Sequence, residues 1–361
     1  KAELTDPHSN VLLLSYTNRA VDEICSKLME SQIDFLRIGS PLNCDEAYHD
    51  HLLSERVQQC RTSKEVKDVI SGMRVFCATT AALNANIHLF KIKHFDLAVI
   101  DESSQILEPH LIGLLSAQSG GRDAISRFVL IGDHKQLPAV VQQTPEESHV
   151  DDDELRSIGL TDCRLSLFER LLSNFKTDHG YDPRYVYMLT RQGRMHRDIA
   201  EFPNYAFYGN RLEVVPLHHQ TLPTEICHSQ NGIEQMLRTH RIAFVAAQKP
   251  RAAASVKTNQ VEAEMIAATV VQIYNLCKDR FDESQTVGVI VPYRNQIATI
   301  RGAIDRYGIG VLHNITIDTV ERYQGSQRDY INYRFPVQQP YQLNFLTNNV
   351  KEEDGMVMTV S

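Results

Sequence analysis

The chain has 361 residues, 42% hydrophobic and 23% charged, enough core material to exclude a disordered tail or a disulfide-stapled miniprotein. Lys and Arg number 37 against 45 Asp and Glu, a net charge of −8, so no global basic field draws the chain to nucleic acid and any such binding needs a local groove. Seven scattered cysteines form no CxxC pair, and no apolar stretch is long enough to span a bilayer, which sets the expectation of a soluble, cytoplasmic protein with reduced thiols and no membrane partner.

In chain order, short apolar runs read as strands buried on both faces: Val11–Tyr16, Val75–Thr79, Leu97–Glu102 and Phe128–Asp133, then Arg241–Ala246, Val287–Pro292 and Ile315–Asp318. Helical spacing fills the gaps, with Val21, Ile24, Cys25 and Leu28 on one stripe and Val261, Met265, Ile266, Thr269 and Val270 on another. Strand–helix alternation implies doubly wound α/β sheets in two copies, with chemistry at the carboxyl ends of the strands. Thr144–Glu154 is acidic and lacks core residues, so it reads as a mobile surface loop, and Leu217–Asn231 as an irregular connection. The boundary falls between Phe175 and Tyr187, giving domains 1–180 and 181–361.

Two strand ends carry the first chemical signal. Leu97–Gln105 (LAVIDESSQ) ends an apolar strand in Asp101 and Glu102, a pair suited to holding a metal ion and taking a proton from water; an acidic surface turn is the plain alternative. Phe128–Val141 (FVLIGDHKQLPAVV) ends the next strand in Asp133, Lys135 and Gln136, and Gln136 is placed to reach a terminal phosphate.

Together these segments resemble motifs II and III of superfamily 1 helicases, in the subgroup of the nonsense-mediated-decay helicase and its DNA-helicase relatives. The likeness continues in order along the chain. Ser15–Cys25 (SYTNRAVDEIC) is similar to motif Ia, Cys77–Leu83 (CATTAAL) to the next nucleic-acid motif, and Leu189–Leu212 (LTRQGRMHRD…) to the segment usually written QYRMHP. Val291–Gln296 (VPYRNQ), Asp318–Asp329 (DTVERYQGSQRD) and Leu343–Asn349 (LNFLTNN) resemble the TPYxxQ motif, motif V and motif VI. The resemblance implies two RecA-like domains, ATP with Mg2+ in a cleft between them, and single-stranded DNA or RNA across the top, moved in the 5′-to-3′ sense.

On that likeness Asp101 holds Mg2+, Glu102 is the base, Gln136 senses phosphate and Arg194 stabilises charge on the transferred phosphoryl group, the four forming the catalytic set. Gln192, Gly325 and Gln327 bind nucleotide. Thr17, Asn18, Thr79, Thr80, Tyr293, Gln296 and Thr319 contact nucleic acid, mostly at phosphates. The threonines also read as helix caps, and Tyr293 as a half-buried core residue.

The sequence departs from the family in several places. It contains no GxxxxGK followed by Ser or Thr, and motif VI is incomplete, so the 361 residues read as an interior piece of a longer enzyme that turns over little ATP alone. Gly193 stands where tyrosine is usual, Arg197 where proline is usual, and Gln327 where glutamate is common. Asn332 and Arg334 lie in a run usually more apolar, so the strand there is expected to be partly exposed or ill-packed. A non-catalytic scaffold with a degenerate helicase core is the competing reading. A nucleotide kinase is disfavoured by TNRAVDE, VPYRNQ and TVERYQGSQRD.

Overall fold

The structure, a computed structural model, describes residues 2–225, 227–247, 258–323 and 326–334, with the backbone of two further short strands, Lys351–Glu353 and Met356–Met358. The chain divides into two compact units, Lys1–Tyr187 and Met188–Ser361.

The first unit is built on a sheet of β1 (Val11–Ser15), β2 (Leu36–Ile38), β3 (Val75–Thr79), β4 (Leu97–Ile100) and β5 (Phe128–Leu130). Their order is β2-β3-β1-β4-β5, all parallel, with Ser15 opposite Thr79 and Leu14 opposite Ile100. The period-two alternation of a strand sorts side chains onto two faces. Leu12, Leu14, Phe76, Ala78 and Ile100 pack in one cluster with Phe90 and Phe95. Val75 and Cys77 face the other way, against Val21, Cys25 and Leu28 of the helix Asn18–Glu30. Both faces are covered, which is why the strands read as unbroken apolar runs.

β2 was not anticipated. It has three residues, and its central Arg37 is 1% exposed, ion-paired with Asp22 at 2.9 Å and donating to the carbonyl of Asn43 at 3.0 Å. A buried guanidinium is tolerated there because charge and hydrogen bonds accompany it.

The acidic stretch 144–154 lies mostly on the surface, as expected, and forms short capped helical turns rather than an irregular loop. Thr144 and Glu147 form a reciprocal capping box for the turn Pro145–Ser148, and the Asp152 carboxylate caps Asp153–Ser157 by accepting from the Leu155 amide at 2.9 Å. The segment is pinned from below, where Val150 N donates to Thr161 O and Cys163 N to Ser148 O. Hydrogen bonding to Arg164 holds the Asp162 carboxyl down at about 2.

The second unit contains a short parallel pair, β6 (Arg191–Gln192) and β7 (Glu213–Val214), and a parallel sheet of β8 (Val287–Ile290), β9 (Thr316–Asp318) and β10 (Tyr330–Tyr333) in the order β9-β8-β10. The helices Gln260–Cys277 and Asn295–Asp305 pack with it around Val287, Val289, Ile300 and Ile304. The helix Gln260–Cys277 turns inward a face that overlaps the expected stripe at Val270, with Ile266 packed beside it, and is otherwise rotated from it. Ala263, Ala267, Val270, Ile273 and Cys277 are buried, while Val261 is exposed. The run Arg241–Ala246, read as a strand, forms none. Ile242, Phe244 and Val245 are exposed, and Arg241 is tied instead through its guanidinium to the carbonyls of Leu222 and Pro223 at 2.9 Å. On β10 the expected partial exposure is present at Ile331 and Tyr333, whereas Arg334 is buried and paired with Glu262. Among the described residues no helix is long and apolar enough to cross a membrane.

Candidate functional site

In the first unit the candidate residues gather along the carboxyl ends of four neighbouring strands. Asp101 follows β4 directly and its amide donates to the carbonyl of Leu14 at 2.8 Å, which brings it level with Ser15 at the end of β1. Ser15 is fully buried and its hydroxyl has no hydrogen-bond partner among the described residues. On the far side of β1, Thr79 ends β3 and caps the helix Thr80–Ala85 by accepting from the Ala82 amide at 3.1 Å. Thr17 does the same for Asn18–Glu30, accepting from Ala20 N at 3.2 Å. Thr79 and Thr80 are buried, Thr17 is exposed and Asn18 half-buried, so Thr17 presents the most accessible polar group of the set.

Glu102 adopts a left-handed backbone, φ 52° and ψ 35°, unfavourable for a residue with a Cβ. The turn is held from three directions. Gln105, 7% exposed, donates its Nε2 to Glu102 Oε2 at 2.7 Å. Both the amide and the hydroxyl of Ser103 donate to Ile131 O, at 2.8 and 2.7 Å, and the Asp133 amide donates to Ser104 Oγ at 3.2 Å. The DESSQ turn is thereby stitched to the segment leaving β5. Gly132 makes this approach possible, since a Cβ there would lie 2.8 Å from Ser104 N and 3.1 Å from the hydroxyls of Ser103 and Ser104.

Beyond Gly132, Asp133 organises the next turn. Its carboxylate accepts from the Lys135 amide at 3.0 Å and from Gln136 Nε2 at 2.9 Å. Gln136 is exposed, on the same edge as Glu102. Downstream, Arg170 forks onto Glu108 with contacts of 2.7 and 2.5 Å, anchoring the chain just past DESSQ to the helix Leu167–Asn174. Sequence reasoning missed Ser15, Gln105 and Gly132. The spacing Glu102–Gln105 was the available signal for the second, one turn apart.

The donor set suits a hard divalent cation in part. The Asp101 carboxylate is half-buried and makes no hydrogen bond or ion pair among the described residues. No group of three or more carboxylate, histidine or cysteine ligands surrounds it there, so an ion on Asp101 would draw its other ligands from water and a nucleotide, as Mg2+ characteristically does.

In the second unit Arg194 is exposed on the loop after β6 and its guanidinium makes no ion pair among the described residues. Gln192 is occupied by the loop itself, its Oε1 accepting from Arg194 N and Met195 N at 3.0 and 2.8 Å and its Nε2 donating to Met195 O at 2.9 Å. Tyr293 follows β8, half-buried, and Thr319 follows β9, 8% exposed, so they stand at adjacent strand ends. Gln296 is not on that surface. It is fully buried, accepting from Asn259 N at 2.9 Å and donating to Asn259 O at 2.8 Å. Gln327 is exposed; Gly325 and the motif VI segment Leu343–Asn349 lie outside the described residues.

An AAA domain matches residues 163–347, just over half of the chain, and a second AAA domain matches residues 51–144. The chain belongs to the AAA domain family. It is homologous to superfamily 1 helicases of the DNA2 and Sen1 kind. It is 32% identical over 339 residues to the DNA replication ATP-dependent helicase/nuclease JHS1 of Arabidopsis thaliana, covering 91% of the chain and 22% of that protein. Against the DNA replication ATP-dependent helicase/nuclease DNA2 of Homo sapiens the identity is 28%, covering 90% of the chain and 29% of the relative. Helicase sen1 of Schizosaccharomyces pombe is 27% identical over 74% of the chain and 14% of its own length. The chain thus spans less than a third of these relatives.

Proposed function

We propose that the protein carrying this chain is an ATP-dependent helicase or translocase acting on single-stranded nucleic acid. The observation that supports it most is the joined edge of β4 and β5, where Asp101, Glu102 and Gln136 follow adjacent strand ends on turns that Ser103, Ser104 and Gly132 lock to one another. Strand ends fixed in this way hold charged groups ready before substrate arrives, and positioning with electrostatics supplies most phosphoryl-transfer catalysis.

In this reading Glu102 takes the proton of the attacking water, a general-base contribution of about 10²–10⁴ in rate. Gln105 fixes the carboxylate by one oxygen. Gln136 contacts the terminal phosphate, and Asp133 sets its side chain. Arg194 stabilises developing charge on the phosphoryl group, which for such arginines is worth about 10³–10⁵ in turnover. Asp101 would hold a Mg2+ ion, which when bound would neutralise charge on the phosphates. Thr17, Thr79, Tyr293 and Thr319 contact the strand, the threonines while capping helices or closing turns. Gln192 and Gln296 act by holding local backbone. The names of the DNA replication relatives make single-stranded DNA the first substrate to test, with RNA beside it.

The test is Glu102→Gln in the full-length protein. It keeps shape and loses the base, so nucleotide binding persists while strand-stimulated phosphate release falls at least a hundredfold. Turnover within a few-fold of the parent removes Glu102 from the role.

A further inference from the structure

We propose that Gln220, assisted by His219, is a positioning residue for Arg194, and that the segment Leu217–Leu222 is a clamp built for that purpose. The proposal rests on the reading of Arg194 as the phosphoryl-stabilising arginine. Nothing in the sequence motifs singled this segment out; it lies in the stretch expected to be an irregular connection.

The geometry is specific. Gln220 sits in a single helical turn, His218–Thr221, and is fully buried. Its Nε2 donates to two carbonyls, Gln192 O at 2.9 Å and Met195 O at 3.0 Å, and its Oε1 accepts from Leu217 N at 3.5 Å. One amide therefore bridges the two ends of the tetrad Gln192–Met195 that carries Arg194. His219 donates its Nε2 to the carbonyl between them, Gly193 O, at 3.2 Å. In return His196 donates to Leu222 O at 2.9 Å while its Nδ1 accepts from Asp198 N at 3.2 Å, so one tautomer serves both contacts. β7 closes the same assembly, with Val215 N donating to Gln192 O at 3.0 Å.

The physical need is plain. Gly193 immediately precedes Arg194, and glycine leaves a loop more conformational freedom than any other residue. Gln192 closes the turn from within, and β7 with Val215 N holds only the first residue of the tetrad. Gln220 and His219 supply that reference from a separate element. Arg194 itself is exposed, so its Cα and backbone are what the fold controls. A displacement of about 1 Å in a group that acts on the transition state costs on the order of a hundredfold in rate.

The experiment uses the full-length protein and reads strand-stimulated ATPase kinetics. Gln220→Met keeps volume and removes donor and acceptor. The expected result is a 10–100-fold fall in kcat, with KM for ATP and strand affinity within about twofold of the parent, and no further fall when Arg194 is already alanine. His219→Ala changes an exposed residue and loses only the Gly193 contact. It should lower kcat a few-fold, again without effect in the Arg194→Ala background. An equal loss in the Arg194→Ala background, or an unchanged kcat in folded Gln220→Met, overturns the clamp. Should circular dichroism show Gln220→Met unfolded, His219→Ala and its double variant decide alone. If Arg194→Ala keeps normal turnover, the reading of Arg194 fails and takes the clamp with it. A strong Arg194→Ala defect with additive losses defeats only the clamp.

Discussion

Replacing Gln296 by alanine separates two roles that the same residue could serve. Family likeness makes Gln296 a nucleic-acid contact, whereas the structure buries it completely with both halves of its amide on the Asn259 backbone, 2.9 Å from N and 2.8 Å from O. Asn259 is 3% exposed and caps the helix Gln260–Cys277, its Oδ1 accepting from Val261 N and Glu262 N. Truncation leaves the Asn259 amide buried without a partner, about 1–3 kcal/mol. The carbonyl keeps the Ala263 amide at 3.1 Å, so its loss is smaller, roughly 0.5 kcal/mol. The lost Cγ methylene adds about 0.8 kcal/mol. Together the second unit should lose about 3 kcal/mol. With a urea dependence of about 2–3 kcal/mol per molar, its unfolding midpoint should fall by about 1 M. Urea titration followed by far-UV circular dichroism suits a chain that has no tryptophan. A second titration measures single-strand binding. An unchanged midpoint accompanied by weakened strand binding would refute the structural role and restore Gln296 to the nucleic-acid surface.

Two stability predictions follow from other contacts. Gly132→Ala puts a Cβ 2.8 Å from a backbone nitrogen that the Ser103 bonds hold in place, and should cost about 1–3 kcal/mol in thermal or urea unfolding; a neutral result would mean the two strand-end turns are not locked. Asp162 titrates at about 2, against an ordinary 3.8, chiefly through its hydrogen bond to Arg164. A depressed carboxyl stabilises the fold above its unfolded value and loses that contribution as pH falls from about 4 towards 2. The shift corresponds to roughly 2 kcal/mol, reduced to about 1–2 by the 25% exposure of the side chain. Asp162→Asn should be less stable than the parent by that amount at pH 7 and equal to it near pH 2, so a difference constant across pH would defeat the account.

The strands that sequence reading located most surely, β1, β3 and β4, are those covered on both faces, where apolar runs have no competing explanation. β2 escaped because a run of three residues centred on Arg37 carries no apolar signature, and its burial depends on Asp22 and Asn43 elsewhere in the chain. Arg241–Ala246 misled in the opposite sense: its apolar residues are exposed, and a strand needs a partner that composition does not supply. The helix Gln260–Cys277 is apolar on several sides, so periodicity could not choose a face. Close packing against the sheet and the neighbouring helix selected Ala263 and Ala267. At the candidate site the strand-end placement of Asp101, Glu102 and Gln136 was legible, because each is fixed by its own strand. Those defined by tertiary contact were not: Gln220 reaches its loop across 28 positions of sequence, and Gln296 faces Asn259 across 37. The capped turns at 144–157 were legible in principle, since Thr144, Pro145 and Glu147 form a helix-start pattern.

The left-handed backbone at Glu102 carries an evolutionary consequence. Holding a residue with a Cβ there costs the fold about 1 kcal/mol or more, and glycine would relieve most of it, asparagine part. Either replacement would also remove the carboxylate. A lineage that kept this two-unit framework only as a scaffold would gain that backbone relief and give up the carboxylate that Gln105 donates to. On the proposed role of Glu102 as base, glutamate here is a cost borne for chemistry, and substitutions at this one codon across related genes would sort those that keep the base from those that have lost it.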